Sequence, residues 1–320
     1  MTRRRFLPDD FTLLLIAVIL LASLWPAQGV VAQGFEWLTT AAIALLFFLH
    51  GAKLSRAAVV AGISHWRLHL LVLGCTFGLF PLLGLLLKPL FAFMLTPDLA
   101  LGMLFLCTLP ATVQSAIAFT ALARGNVSAA VCSASASSLI GVFITPLLVG
   151  WLVVPGGVSG AGELEAVGRI MLQLMLPFVL GQLLQPWVGG FVKQHAAKLK
   201  YVDQGSILLV VYTAFSAAVI EGLWRQVPLP VLLGVVVASC VLLALVLVLT
   251  TRLGRLLGFS QEDQITIVFC GSKKSLASGV PMAKVLFAAP VVGVMLLPLM
   301  IFHQIQLMVC AVLAQRYAGR

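Results

Sequence analysis

Runs of apolar residues alternate with short polar breaks along the whole chain. The runs lie at about 11–27, 33–52, 68–87, 98–121, 127–154, 167–188, 203–220, 230–250, 264–283 and 290–315. Most hold close to twenty residues, the length an α-helix needs to cross a hydrocarbon core ~30 Å thick. In lipid every backbone polar group needs a partner from the chain, and a helix supplies it without leaving an edge. The pattern predicts an all-α polytopic membrane protein with ten transmembrane helices and short connections.

Composition agrees. The chain is 61% hydrophobic and only 9% charged, against roughly 25% charged in soluble domains. Six cysteines, at 75, 107, 132, 240, 270 and 310, all fall inside apolar runs without metal-type spacing, so they read as packed free thiols. No cofactor and no metal site is expected.

The net charge of +10 could suggest a nucleic-acid partner, but its distribution points to the lipid bilayer instead. With a cytoplasmic N-terminus, inside stretches hold Arg3, Arg4, Arg5, Lys53, Arg56, Arg67, Arg124, Lys193, Lys198, Lys200, Arg252, Arg255, Arg316 and Arg320. Outside stretches hold only Lys88, Arg169, Arg225 and Lys284. That bias obeys the positive-inside rule. It predicts both termini in the cytoplasm, with the inner (plasma) membrane of a bacterium as the location. Asp9 and Asp10 precede the first run and nine more follow it, so the first run reads as a retained span and not a cleaved signal. The tryptophans fall near run ends, as an aromatic belt would. Every acidic residue also lies at a loop or a run end.

The connector VPGGVSGAGELEA at 154–166 divides the runs five and five, giving repeats at 1–155 and 156–320. Trp25-Pro26 pairs with Pro186-Trp187, Asp98 with Asp263, and Pro146, interrupting the fifth span, with Pro298, interrupting the tenth. An odd number of spans per half forces the second copy to be inverted, a recurrent plan of secondary transporters. The fourth and ninth spans then correspond. The fourth carries Pro110 followed by Thr112, Gln114 and Ser115; the ninth carries Gly271, Ser272, Lys273, Lys274, Ser275, Ser278, Gly279 and Pro281. Helix breaks are expected at Pro110, Gly271, Gly279 and Pro281. Matched breaks at membrane depth mark a binding site, so the cavity is expected between 110–115 and 271–275.

The run LPATVQSAIAFTALARGNVSAAVCSASASSLIGVFITPLLVG at 109–150, with FCGSKKSLASGVPMA at 269–283, resembles the SBF-like branch of the bile acid:sodium symporter family. It is most similar to solute carrier family 10, member-7-like proteins. The resemblance covers essentially the whole chain. It implies inverted five-span repeats, a core domain of spans 3–5 and 8–10, a panel domain of spans 1, 2, 6 and 7, and discontinuous spans four and nine that cross. Sodium-coupled members ligate the ion with polar residues of spans four and five and an acidic residue of span nine. Here Thr112, Gln114 and Ser115, with Ser133, Ser135, Ser137 and Ser138, supply the first set, but GSKKS stands where the acid would be. That departure argues against sodium coupling and against bile acid as the substrate.

Lys273 and Lys274 lie about ten residues, or ~15 Å, from the start of the ninth span, too deep for easy snorkelling. Each costs roughly 2.5–3.5 kcal/mol at mid-membrane. An ammonium there can replace a coupling cation, held by Ser115, Ser133 or Ser137 and by carbonyls of span four. It can instead carry a coupled proton, or receive a substrate carboxylate or phosphate. Lys274 is the first choice, with Ser278 on its face. His303, Gln304 and Gln306 are secondary candidates.

The function expected is secondary active transport of an organic anion by alternating access, without an enzymatic activity. The alternative, drawn from the resemblance, is a regulatory membrane protein of calcium homeostasis acting through a partner.

Overall fold

The computed structural model describes residues 10–53, 65–153 and 161–319, and at 161–171 and 173 the backbone alone. Arg3, Arg4, Arg5, Asp9, Arg56, Arg320 and the connector residues 154–160 lie outside them. All regular structure among the described residues is helical. The helices are α1 (Asp10–Leu24), α2 (Gly29–Lys53), α3 (Trp66–Gly74), α4 (Phe80–Leu86), α5 (Lys88–Met94), α6 (Pro97–Thr108), α7 (Val113–Leu122) and α8 (Val127–Leu152). They continue as α9 (Ala161–Gln194), α10 (Ala196–Ile220), α11 (Leu223–Gln226), α12 (Leu229–Leu256), α13 (Gln261–Gly271), α14 (Leu276–Leu286) and α15 (Ala289–Ala318). A π-helical turn, Cys75–Leu79, joins α3 to α4.

Seven segments among the described residues are long and apolar enough to cross a membrane, or eight if α6 and α7 count as one span bent by 63°. The chain is therefore a polytopic helical membrane protein. Each of the ten apolar runs falls on helix. α1, with 15 residues, and α13 and α14, with 11 each, are too short to be counted alone.

Side-chain caps fix where several helices begin. Asn126 Oδ1 accepts from Ala129 N at 3.0 Å, Ser260 Oγ from Asp263 N at 3.2 Å and Ser275 Oγ from Ser278 N at 3.1 Å, each satisfying a donor the first turn leaves free.

Four expected interruptions are absent. Pro146 lies inside α8, Pro298 inside α15, and Gly279 and Pro281 inside α14. A proline deletes one intrahelical hydrogen bond, and packing from both sides holds these helices through the loss. Gly279 serves close packing, since a Cβ there would sit 2.5 Å from Leu109 Cδ1 and 2.6 Å from Leu299 Cδ2. The breaks themselves fall at 109–112 and 272–275. α9 also begins earlier than expected, so 161–166 of the connector is helical.

α1, α2, α9 and α10 pack among themselves. α2 and α9 touch backbone to backbone: a Cβ on Gly51 would lie 2.1 Å from Phe178 O, and one on Gly181 would lie 2.0 Å from Phe48 O. α6 meets α15 at Gly102, whose Cβ would lie 2.7 Å from Met295 O. Glu36 and Lys284 form an ion pair at 2.7 Å, and Lys53 pairs with Asp203. Seventeen residues of α2 separate Glu36 from Lys53, about 25 Å along the axis, so the two pairs mark opposite ends of the molecule. All six tryptophans are exposed, as side chains in the headgroup zone are.

Candidate functional site

The two breaks meet. Ser275 N donates to Pro110 O at 2.9 Å, and Thr112 Oγ1 donates to Lys274 O at 2.7 Å. Each interrupted strand of backbone thus supplies part of what the other has lost, which is the condition for irregular backbone at membrane depth. Gln306 of α15 clasps the junction: Lys274 N donates to its Oε1 and its Nε2 donates to Lys274 O, both at 3.0 Å.

Every carbonyl from Phe105 to Pro110 has a donor. Phe105 O takes Thr108 Oγ1, Leu106 O takes Leu109 N, Thr108 O takes Thr145 Oγ1 and Pro110 O takes Ser275 N. The remaining two, Cys107 O at 3.0 Å and Leu109 O at 2.6 Å, take Lys274 Nζ. The third proton of that ammonium goes to Thr76 O at 2.7 Å. Thr76 lies in the π-helical turn, where Phe80 N reaches back to Cys75 O. The next donor in that register would be residue 81, which is proline and has no N–H. Pro81 therefore leaves Thr76 O available, and Lys274 Nζ also stands 4.1 Å from the centre of the Phe80 ring.

Magnitudes show why this lysine is tolerated. The roughly 2.5–3.5 kcal/mol of insertion cost faces three hydrogen bonds to a charged donor at about 1.5–3 kcal/mol each. Lys273 differs. Its Nζ finds no oxygen or nitrogen acceptor and lies 4.2 Å from the Phe119 ring centre, beside the thiols of Cys270 and Cys310. Both lysines are fully buried, so neither snorkels.

A cavity of about 1200 Å³ opens in front of the junction. Its floor is the first turn of two half-helices: Thr112, Val113, Gln114 and Ser115 at α7, and Ser275, Leu276, Ala277 and Ser278 at α14. Both helices present free N–H groups and positive dipole ends there. Ser115 Oγ is buried and unpartnered. Ser135 and Ser138 of α8 and His303 and Gln304 of α15 form the sides, and Leu46, Phe47, Phe178 and Ile207 form an apolar waist. Exposed Lys53, Lys200 and Arg316 stand at the mouth with His50. Asp203, held by Lys53, is the lone carboxylate of the lining among the described residues.

Of the site residues expected from sequence, Thr112, Gln114, Ser115, Ser275 and Ser278 line the cavity. Ser272, Lys273, Lys274, Ser133 and Ser137 lie behind it, fully buried. None of the three serines expected to hold the ammonium does so: Ser115 Oγ has no partner, and the other two bond elsewhere. Ser133 Oγ is 2.6 Å from His69 Nδ1, and Ser137 Oγ accepts from Ala111 N at 3.0 Å. Ser133 and Ser137, four apart, share a face of α8 that turns to protein; Ser135 and Ser138, three apart, share the face that turns to the cavity. Polarity alone does not separate those faces. The sequence does not reveal the basic mouth, because its members come from three helices and read individually as topology signals. Among the described residues no group of His, Cys, Asp and Glu gathers as metal ligands.

The chain is 68% identical over 320 residues to Uncharacterized protein PA2026 of Pseudomonas aeruginosa, covering all of this chain and 96% of that protein. It is 62% identical over 310 residues to the Escherichia coli K12 protein called Putative symporter YfeH, covering 97% and 92%. It is 27% identical over 311 residues to Sodium/bile acid cotransporter 7 of Danio rerio, covering 95% and 91%. The family model for SBF-like CPA transporters matches residues 9–319, and the chain therefore belongs to the SBF-like CPA transporter family.

Proposed function

We propose that the chain is a secondary active transporter of an organic anion, working by alternating access. The observation that carries this reading is the cavity floor. The breaks of two helices meet there, and the N-termini of α7 and α14 line one space. Such ends favour a carboxylate, sulfonate or phosphate group. Lys53, Lys200 and Arg316 at the mouth add positive potential that attracts anions, and the apolar waist suits the body of an organic molecule. The names of two relatives, a symporter and a cotransporter, support transport over the regulatory alternative.

In this reading the ten helical runs are ten spans in two inverted repeats. Their core comprises spans 3–5 and 8–10, and the panel of α1, α2, α9 and α10 faces it across the cavity. The mouth faces the cytoplasm, as the positive-inside count predicts. Sodium is not required, because the crossing holds an ammonium in place of an acidic ion ligand. The test is uptake of labelled organic anions into proteoliposomes, in sodium and in choline buffers. Saturable uptake of at least one anion in choline is expected. Transport that is confined to cations, or none from a broad anion panel, would refute the reading.

A further inference from the structure

We infer that Thr76 O, Cys107 O and Leu109 O form a monovalent-cation site that the chain fills with its own Lys274 ammonium. The consequence is that removing the side chain creates a protein dependent on a free primary ammonium ion. Three carbonyl oxygens, at 2.6, 2.7 and 3.0 Å from one nitrogen, match the three donors of an R–NH3+ group. The Phe80 ring, 4.1 Å away, adds a face that favours a cation.

The three oxygens come from different places for different reasons. Pro81 frees Thr76 O. Cys107 O is free because Ala111 N, its donor in a continuing helix, is spent on Ser137 Oγ, and Leu109 O lies in the break beyond the end of α6. The site thus exists in the backbone, independent of which group fills it. Without an occupant all three carbonyls are left buried and unpaired in the wall between the π-helical turn and the break. The stem of Lys274 is itself fully buried, so Lys274→Ala leaves a channel-shaped void with the carbonyls at its far end. n-Propylammonium replaces most of what was removed. The inference deepens the reading of the crossing as the coupling element, but its stability test does not need a substrate.

The experiment compares thermal unfolding of purified wild type, Lys274→Ala and Lys274→Met in choline chloride with added ammonium, methylammonium, n-propylammonium, tetramethylammonium, sodium or potassium. The midpoint of Lys274→Ala is expected to fall by about 5 °C or more. n-Propylammonium is expected to restore at least half of the loss, increasing with the logarithm of its concentration. Tetramethylammonium, which has no N–H, is expected to restore nothing. Lys274→Met fills the stem without a donor, so it is expected to be destabilised and unresponsive to every cation. Wild type is expected to respond to none.

Any of three results overturns the inference: no specific rescue of Lys274→Ala, a methionine variant as stable as wild type, or a wild type stabilised by propylammonium or sodium. If Lys274→Ala does not accumulate, the methionine variant and the wild-type titration still decide it. Uptake measured in parallel separates the two proposals. Cation rescue of stability in a protein that transports no anion would support the cage and sink the transport reading alone.

Discussion

At the scale of single residues, Lys274 reverses the sign expected of a buried cation. Judged by insertion cost alone, replacing it with an apolar residue removes an expense. Three carbonyls with no other donor make the replacement destabilising instead. Gln306 belongs to the same account, because its amide satisfies both the N–H and the C=O of Lys274. Gln306→Leu is expected to cost about 1–3 kcal/mol in thermal or denaturant unfolding, because the buried Lys274 N–H is orphaned while Lys274 O keeps Thr112 Oγ1. A loss below about 1 kcal/mol would mean the clasp is dispensable. Ser115 gives the opposite pattern. Its hydroxyl is buried and has no partner in the protein, so Ser115→Ala removes an unsatisfied group and is expected to leave stability unchanged or slightly higher. Uptake is expected to fall about tenfold, the worth of one hydrogen bond near 1.4 kcal/mol. Parallel loss of folded protein and uptake would make Ser115 a packing residue. Gln114→Ala is expected to behave alike, impairing uptake at unchanged membrane levels.

At the scale of elements, the apolar runs and the two breaks were legible because lipid leaves few choices. A run of about twenty apolar residues has to be helical, and a proline followed by polar residues has to find its hydrogen bonds in protein. The limits of that reasoning are visible at Pro281 and Pro298, where helices continue through proline because their neighbours hold them. They are visible again in α8, where sequence polarity marked four serines but not which pair faces the cavity. The π-helical turn had a signal in Pro81, but only tertiary contact explains why a bulge forms there. Helix–helix approach was also hidden: Gly51 and Gly181 look like other membrane glycines until the carbonyls opposite them are seen. Gly181→Ala is expected to wedge α9 off α2 and to cost about 3 kcal/mol, the upper range for overpacking. Gly34→Ala, on the same α2 with nothing within 4 Å of the added Cβ, is expected to be neutral or mildly stabilising through helix propensity. Equal effects of the two in unfolding experiments would remove the close-contact explanation.

At the scale of the whole molecule, the cavity is open toward Lys53 and Arg316 and sealed toward Glu36 and Lys284. The seal has two described parts. One is the ion pair between α2 and α14, with the Lys284 side chain only 9% exposed. The other is the approach of α15 to α10, where a Cβ on Gly293 would lie 2.6 Å from Ala218 Cβ and 2.9 Å from Ala214 O. In the proposed alternating-access cycle both have to part while the mouth closes. A partly buried ion pair of this kind contributes about 1 kcal/mol, which corresponds to roughly a fivefold change in a two-state population. Lys284→Met or Glu36→Gln is therefore expected to raise the share of molecules open at the sealed end by about fivefold without unfolding the protein. The readout is labelling of Ser278→Cys by a membrane-impermeant thiol reagent added outside oriented vesicles, with the background from Cys132 and Cys240 subtracted using the parent. The double exchange Glu36→Lys with Lys284→Glu restores the attraction and is expected to return labelling to the parental rate. If the single variants label no faster than the parent, or if the exchange labels as fast as they do, the ion pair does not latch the sealed end. Rigid-body closure would then have to be sought in the α10–α15 contact alone.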